Sequence, residues 1–202
     1  MLAVRVLLAS NNAHKLSEVR AIVEPLGIEV LSLADLAISL NAKEDGNTFE
    51  ENAIKKAEAF REASRLVVLA DDSGLEVDAL GGQPGVRSAR YAGPSASDAD
   101  RVSLLLRSLG GVPPGARRAR FVCVVAIAAP GQRTLTVRGE CEGSIASEPR
   151  GAHGFGYDPV FVPDGWALTM AELTSSEKNR ISHRGRAFRA ACAVLQRLAP
   201  AC

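Results

Sequence analysis

Aromatic side chains are scarce, at 4% of the 202 residues, and the four cysteines, Cys123, Cys141, Cys192 and Cys202, lie far apart with no C-x-x-C. Zinc-knuckle and thioredoxin-like readings therefore lack their motif, and the thiols are expected to be reduced, as in a cytosol. A dominant charge is missing too. The 24 Lys and Arg against 23 Asp and Glu leave a formal net charge of +1, so there is no whole-molecule positive field to hold a polyanion, and any anion site must be local. No apolar run approaches the ~20 residues of a membrane helix. Leu2–Ala9, interrupted by Arg5, is too short for a secretory core and lacks a small-residue cleavage site. A soluble cytoplasmic protein with neither membrane nor nucleic-acid partner is expected. Repeats and low-complexity segments are also absent, while 47% hydrophobic and 23% charged residues suit a globular chain with a substantial core.

Hydrophobic periodicity supplies the elements. Val4–Ala9 reads as a buried strand ending in Ser10-Asn11-Asn12, ahead of a helical pattern at Leu16, Val19, Ile22, Val23 and Leu26. Ile28–Leu31 resembles a second strand, followed by a polar connection over Leu33–Asn47. Thr48 and Glu51 form a T-x-x-E capping box for a helix reaching about Ser64. Leu66–Ala70 is then an apolar strand, expected to stop at Asp71-Asp72-Ser73-Gly74. Gly81–Gly85 is turn chemistry, and Ser97–Leu109 is a helix with a second capping pattern at Ser97 and Asp100. Phe121–Ala129 and Thr134–Gly139 read as a hairpin. A glycine-rich loop, Gly151–Asp158, leads to Val160–Val162, and a helix over about Arg184–Leu198 puts Phe188, Ala191, Cys192, Leu195 and Leu198 on one face. This order implies one compact α/β unit, residues 1–202, with a mixed twisted sheet and flanking helices.

Ligands of open α/β sheets gather beyond the carboxyl ends of strands, where two polar clusters fall. Ser10, Asn11, Asn12, Ala13, His14 and Lys15 combine small polar groups, helix N-terminal amides and an ammonium, a set able to bind phosphate. The same residues also serve as an ordinary N-cap. Adjacent Asp71 and Asp72 repel each other and lose solvation unless a cation or donors compensate, which points to a hard divalent metal. On a strand, one would face the site and the other a basic residue or loop; the plainer alternative is a polar turn. Glu44 or Asp45 could add an oxygen ligand, since magnesium needs only one or two carboxylates beside water and phosphate. In Gly154-Phe155-Gly156-Tyr157-Asp158-Pro159 two aromatics sit among glycines, suited to stacking on a flat ligand or to core packing. Ser176–Arg186, with Lys178, His183 and Arg184, is a dense run of donors that reads alternatively as a solvated basic turn.

Six motifs stand in order: S-x-N-x-x-K at Ser10–Lys15, F-x-E-N-A-x-x-K-A at Phe49–Ala57, A-D-D-S-G-L-x-V-D-A-L-G-G-x-P-G-V at Ala70–Val86, S-A-R-Y-A-G at Ser88–Gly93, G-F-G-Y-D-P at Gly154–Pro159 and E-K-N-x-I-S-H-R-G-R-A at Glu177–Ala187. Together they resemble the inosine triphosphate pyrophosphatase family, the dITP/XTP pyrophosphatases, across nearly the whole chain. The resemblance implies Mg2+-dependent hydrolysis of ITP, dITP and XTP to the monophosphate and pyrophosphate, a house-cleaning role in the nucleotide pool. It also implies a homodimer of elongated two-lobed α/β protomers with a central cleft. Carried over, Ser10, Asn11 and Lys15 would hold the triphosphate within the loop Ser10–Lys15, Glu44 and Asp72 the metal, with Asp72 also accepting the proton. Lys56 and Ser73 would assist at the phosphates. Phe155, Gly156, Tyr157 and Asp158, with Lys178, His183 and Arg184, would hold the base. Arg87, where many relatives carry Tyr, and Ala152-His153 depart from the pattern and bear on nucleotide preference.

Two other readings compete. One is a related pyrophosphatase for modified pyrimidine nucleotides. The other is a non-catalytic nucleotide- or RNA-binding module using Arg117-Arg118-Arg120 and Arg184-Arg186-Arg189, against which stand the near-zero net charge and embedded aspartates.

Overall fold

A computed structural model describes residues 4–198; Cys202, Leu2 and the Leu198 side chain lie outside the described residues. Six strands form one sheet in the order β2-β1-β3-β4-β5-β6, where β1 is Val4–Leu8, β2 Ile28–Leu31, β3 Val68–Val77, β4 Arg118–Ala128, β5 Leu135–Ile145 and β6 Phe161–Pro163. The sheet is mixed. β1 pairs parallel with β2 (Val4↔Ile28) and with β3 (Leu7↔Val68), whereas β5 and β6 run antiparallel (Gly143↔Pro163). Among the described residues five helices accompany it: α1 Ala13–Val23, α2 Phe49–Ser64, α3 Asp98–Ser108, α4 Ser175–Ile181 and α5 His183–Leu198. None of the described helices is long and apolar enough to cross a membrane.

The chain divides into two compact units. The first comprises the described residues up to Asp72, Cys123–Gly139, and those from Arg184 onward; the second comprises Ser73–Val122 and Glu140–His183. In the first, Val6 and Leu8 of β1, Val30 of β2 and Leu69 of β3 pack with Val19 and Val23 of α1 and with Ala187, Phe188, Ala191 and Leu195 of α5. The helical spacing on α1 and α5 and the alternation along β1 each present one apolar face to this core. In the second, Leu75 and Val77 of β3 join Val102 and Leu105 of α3, Phe121 of β4 and Phe161 of β6. Of the cysteines, Cys123, Cys141 and Cys192 are buried and outside any disulfide, and burial pushes the Cys192 thiol up to about 11.

Several caps match the sequence chemistry. Asn12 caps α1 by accepting from the Lys15 amide at 3.1 Å. Thr48 accepts from the Glu51 amide at 3.1 Å, but Glu51 Oε2 takes the Asn47 amide at 2.7 Å, one residue before the cap. Ser97 and Asp100 make the full reciprocal box.

Three expectations need correction. The strand expected over Leu66–Ala70 does not stop at Asp71: β3 runs on through Asp71, Asp72, Ser73 and Gly74 to Val77. Residues poor in strand propensity are carried there because neighbouring side chains compensate their charge, and tertiary context overrides propensity. The hairpin strands are longer than expected, at Arg118–Ala128 and Leu135–Ile145. The donor run at Ser176–Arg186 is no solvated turn but α4 and the first turn of α5, with Lys178, Ser182, His183 and Arg184 buried. A Thr174–Glu177 capping box starts α4.

Candidate active site

Within the first unit the charged residues converge on β3. Asp71 and Leu69 stand two apart, so the Asp71 carboxylate shares the face covered by α1 and α5. Lys15, one turn inside α1, donates to Asp71 Oδ2 at 2.8 Å. Arg184, in the first turn of α5, donates from Nη1 to Glu18 Oε2 at 2.7 Å and brings Nη2 to 3.8 Å from Asp71 Oδ2. Burial alone would push the Asp71 carboxyl up, but the charges of Lys15, Arg184 and Lys56 outweigh it and hold it far below the usual carboxylate range. Burial likewise opposes the Arg184 charge, yet Asp71 and Glu18 keep it raised.

Asp72 points the other way. Its Oδ2 accepts from Asn52 Nδ2 of α2 at 2.9 Å. Burial pushes its carboxyl up, and the Asn52 hydrogen bond and the Lys56 charge only partly offset this, while Glu44 adds to it. Lys56 lies one helical turn beyond Asn52 and reaches Glu44 Oε1 at 2.5 Å. Burial works against the Lys56 ammonium, but Asp71, Glu44 and Asp72 together raise it above its ordinary range. Asp45 is instead tied at the surface to Lys43 at 3.3 Å and Lys55 at 2.9 Å.

The structure thus gathers Lys15, Glu44, Lys56, Asp71, Asp72 and Arg184 in one unit, with the loop Ser10–His14 at the mouth of α1. Ser10 Oγ accepts from the Asn12 amide at 3.2 Å, and Asn11, Asn12, Ala13 and His14 are exposed. Hard carboxylate oxygens from Glu44 and Asp72 are the donor chemistry of Mg2+. The mutual repulsion of the two, visible in the upward push on Asp72, is what a cation would relieve. Among the described residues no group of three or more His, Cys, Asp or Glu is placed to hold a metal. A carboxylate pair completed by water and phosphate oxygens needs no such cage.

The second unit holds the aromatic group. Lys178 donates to Asp158 Oδ2 at 2.6 Å, both residues being buried, and its ammonium lies 4.9 Å from the Phe155 ring centroid, within cation–π range. Asp158 Oδ2 also accepts from the Phe155 amide at 2.8 Å. Gly154, at φ +75°, is where the loop turns onto Asp158, and a Cβ there would run into the Asp158 carboxylate. The Gly156 amide donates to Asp98 Oδ2 at 2.7 Å. Tyr157 packs in the core and donates to the Ser88 carbonyl at 3.0 Å; burial raises its phenol well above the ordinary range. His183 stacks on Phe121 with centroids 4.7 Å apart. Arg184, grouped from sequence with these base-side residues, has its guanidinium with Glu18 and Asp71 in the first unit. Ser73 follows the acidic pair on β3 and is half-buried.

Sequence reasoning passed over Asn52 and Glu18. Asn52 is 1% exposed on the same helical face as Ala53, Ala57 and Phe60. An amide on an apolar stripe, in a residue type with poor helix propensity, was the available signal.

A mixed α/β sheet carrying a charge-compensated acidic pair defines the class. Residues 6–194 match the Ham1 family, and the chain belongs to that family. It is 49% identical over 190 residues to the dITP/XTP pyrophosphatase of Bacillus subtilis (strain 168), covering 94% of this chain and 96% of the relative. Among solved structures it resembles the Ham1 protein of Staphylococcus aureus, with 42% identity, TM-score 0.84 and 95% and 98% of the two chains covered. It also resembles a Ham1 protein from Coxiella burnetii, with 41% identity, TM-score 0.86 and 96% and 99% covered.

Proposed function

We propose that the protein is a nucleoside triphosphate pyrophosphohydrolase that converts dITP, ITP and XTP to the monophosphate and pyrophosphate with Mg2+. On this reading it clears non-canonical purines from the cytoplasmic nucleotide pool as a homodimer. The observation that carries it is the consecutive pair Asp71 and Asp72, two buried carboxylates on one strand with Lys15, Lys56 and Arg184 around them. A hydrolase of phosphoanhydrides needs anchored cations for the phosphates and a carboxylate held ready to take a proton, and here each role has its own residue.

In this reading Lys15 and the Ser10-Asn11 loop bind the triphosphate at the N-terminus of α1, where amides and ammonium favour anions together. Lys56 and Ser73 assist at the phosphates. Glu44 and Asp72 would hold Mg2+, which when bound offsets the negative charge gathering on the phosphates. Asp72 takes the proton of the attacking water. As the water oxygen bonds to the α-phosphorus, the α–β bridging bond breaks and pyrophosphate leaves with its electron pair. Asp71, locked in its charged form, keeps Lys15 and Arg184 in place and takes no proton. The base stacks on Phe155, with Lys178 and His183 supplying donors for the O6 acceptor that hypoxanthine and xanthine carry and adenine lacks. Asp158 fixes the Lys178 ammonium, while Gly156 and Tyr157 shape the loop.

Pyrophosphate release from dITP, XTP, ATP and dTTP, measured with and without Mg2+, tests this reading. Release from dITP and XTP far faster than from ATP or dTTP, and dependent on Mg2+, is expected. Preference for the pyrimidine, or tight nucleotide binding without release, would replace it with one of the two competing readings.

A further inference from the structure

The Asn52 amide touches two segments at once. Its Nδ2 donates to Asp72 Oδ2 at 2.9 Å, and its Oδ1 accepts from the Gly46 amide at 2.7 Å. Because the oxygen is committed to an N–H, the nitrogen must be the end that meets Asp72, and the rotamer has no alternative flip that satisfies both. Gly46 belongs to the polar connection that carries Glu44, and it is buried. A Cβ at Gly46 would sit 2.7 Å from Asn52 Oδ1 and 2.8 Å from Glu51 Cβ, so glycine is the residue that lets the chain pass this close to α2. Four residues on, Lys56 takes hold of Glu44 itself. Helix α2 therefore grips the Glu44 segment at several points, through Glu51 on Asn47, Asn52 on Gly46, Lys55 on Asp45 and Lys56 on Glu44, and of these the Asn52 grip also holds Asp72.

The geometry points to Asn52 as a positioning residue that sets the Asp72 and Glu44 carboxylates relative to each other. Resting on the hydrolase reading above, this role makes Asn52 a bracket: it cannot ionise, and it donates to the carboxylate assigned the attacking water while holding the backbone that carries Glu44. Misplacing a reacting group by about 1 Å costs on the order of 10²-fold in rate, and that is the scale on which loosening the bracket acts.

Three variants separate its two ends. Asn52→Asp keeps an acceptor for the Gly46 amide and turns the Asp72 end repulsive, Gly46→Ala crowds the bracket from the loop side at Asn52 Oδ1 and Glu51, and Asn52→Ala removes both. The expected loss in kcat on dITP for Asn52→Asp and Asn52→Ala is about 10²-fold with KM moving less than about threefold. Hydrogen exchange of amides 41–47 should speed up in Asn52→Ala and Gly46→Ala, stay slow in Asn52→Asp, and leave β3 protected throughout. Should kcat of both Asn52 variants stay within about threefold of wild type, or KM and thermal stability fall away together with it, Asn52 is only a buried helix residue and the bracket is refuted. If wild-type protein releases no pyrophosphate from dITP or XTP, the hydrolase reading fails by itself, and exchange at 41–47 still decides whether Asn52 holds the loop.

Discussion

Asp71 and Asp72 are identical in chemistry, adjacent in sequence and both buried, yet the two faces of β3 push their carboxyls in opposite directions. On the α1 and α5 face, two cations reach Asp71 directly and lock it charged. On the α2 face, Asp72 meets an amide, a shared lysine and the repulsion of Glu44, and its proton is retained more easily. The residue type is constant, so the difference comes from what each face supplies. One face builds a structural counter-ion and the other a group fit to exchange a proton.

The largest expected effect follows from swapping the reactive member. Asp72→Asn should lower kcat on dITP by ~10²–10⁴-fold, the range of a lost general base, while thermal unfolding shows no loss of stability, since a carboxylate that burial disfavours has been removed. Wild-type turnover in this variant would collapse the contrast. Asp71→Asn should do the reverse, costing roughly 3–5 kcal/mol in urea unfolding because half-buried Lys15 loses its carboxylate and buried Arg184 is left with Glu18 alone. The two should also differ in pH dependence. Asp71, with its folded value depressed, contributes stability present above the ordinary carboxyl value of 3.8 and lost as pH falls toward its lower folded value. Asp72, with its folded value raised, contributes stability present below 3.8 and lost as pH rises through that raised value. Urea midpoints taken from neutral pH down past 3.8 should therefore show the Asp71→Asn deficit shrinking, and any Asp72→Asn advantage vanishing.

Lys15→Ala sharpens the comparison further, because it strips from the Asp71 face one cation that the proposed function also assigns to the phosphates. About tenfold losses in affinity for both dITP and pyrophosphate are expected, the worth of one charge-assisted hydrogen bond, with turnover slowed in parallel. Unchanged pyrophosphate inhibition would confine Lys15 to its ion pair. The smallest effect lies in the second unit. Phe155→Ala should reduce kcat/KM for dITP and ATP alike by about fivefold, at the low end of stacking energies, and a collapse of the dITP:ATP ratio would shift discrimination from Lys178 and His183 to the ring.

Much of this was legible before any coordinates. The N-caps at Asn12, Thr48 and Ser97 and the period-2 and period-3.6 patterns located α1, α2, α3, β1 and β2 closely, because short-range chemistry decides those elements. The continuation of β3 through Asp71 to Val77 was illegible, since what allows it is a set of cations 56 and 113 residues distant along the chain. The same distance hid the partner of Arg184. Its place in a donor-rich run suggested the base, whereas its guanidinium meets Glu18, 166 residues away. Helix α4 was missed because its seven residues bury only a lysine, giving no apolar period to detect.

Strand alternation has a consequence for how the molecule folds. The β1–β3 register, with Leu7 opposite Val68 and Leu8 opposite Leu69, is what assigns Asp71 to the cations and Asp72 to Asn52. A slip of one residue would exchange the two aspartates and turn every apolar side chain of the strand to the wrong face, stranding Lys15 and Arg184 in the interior. A misassembled site is thus also an unstable chain. The arrangement of the two aspartates is checked during folding, by the same pairing that seats β3 in the sheet.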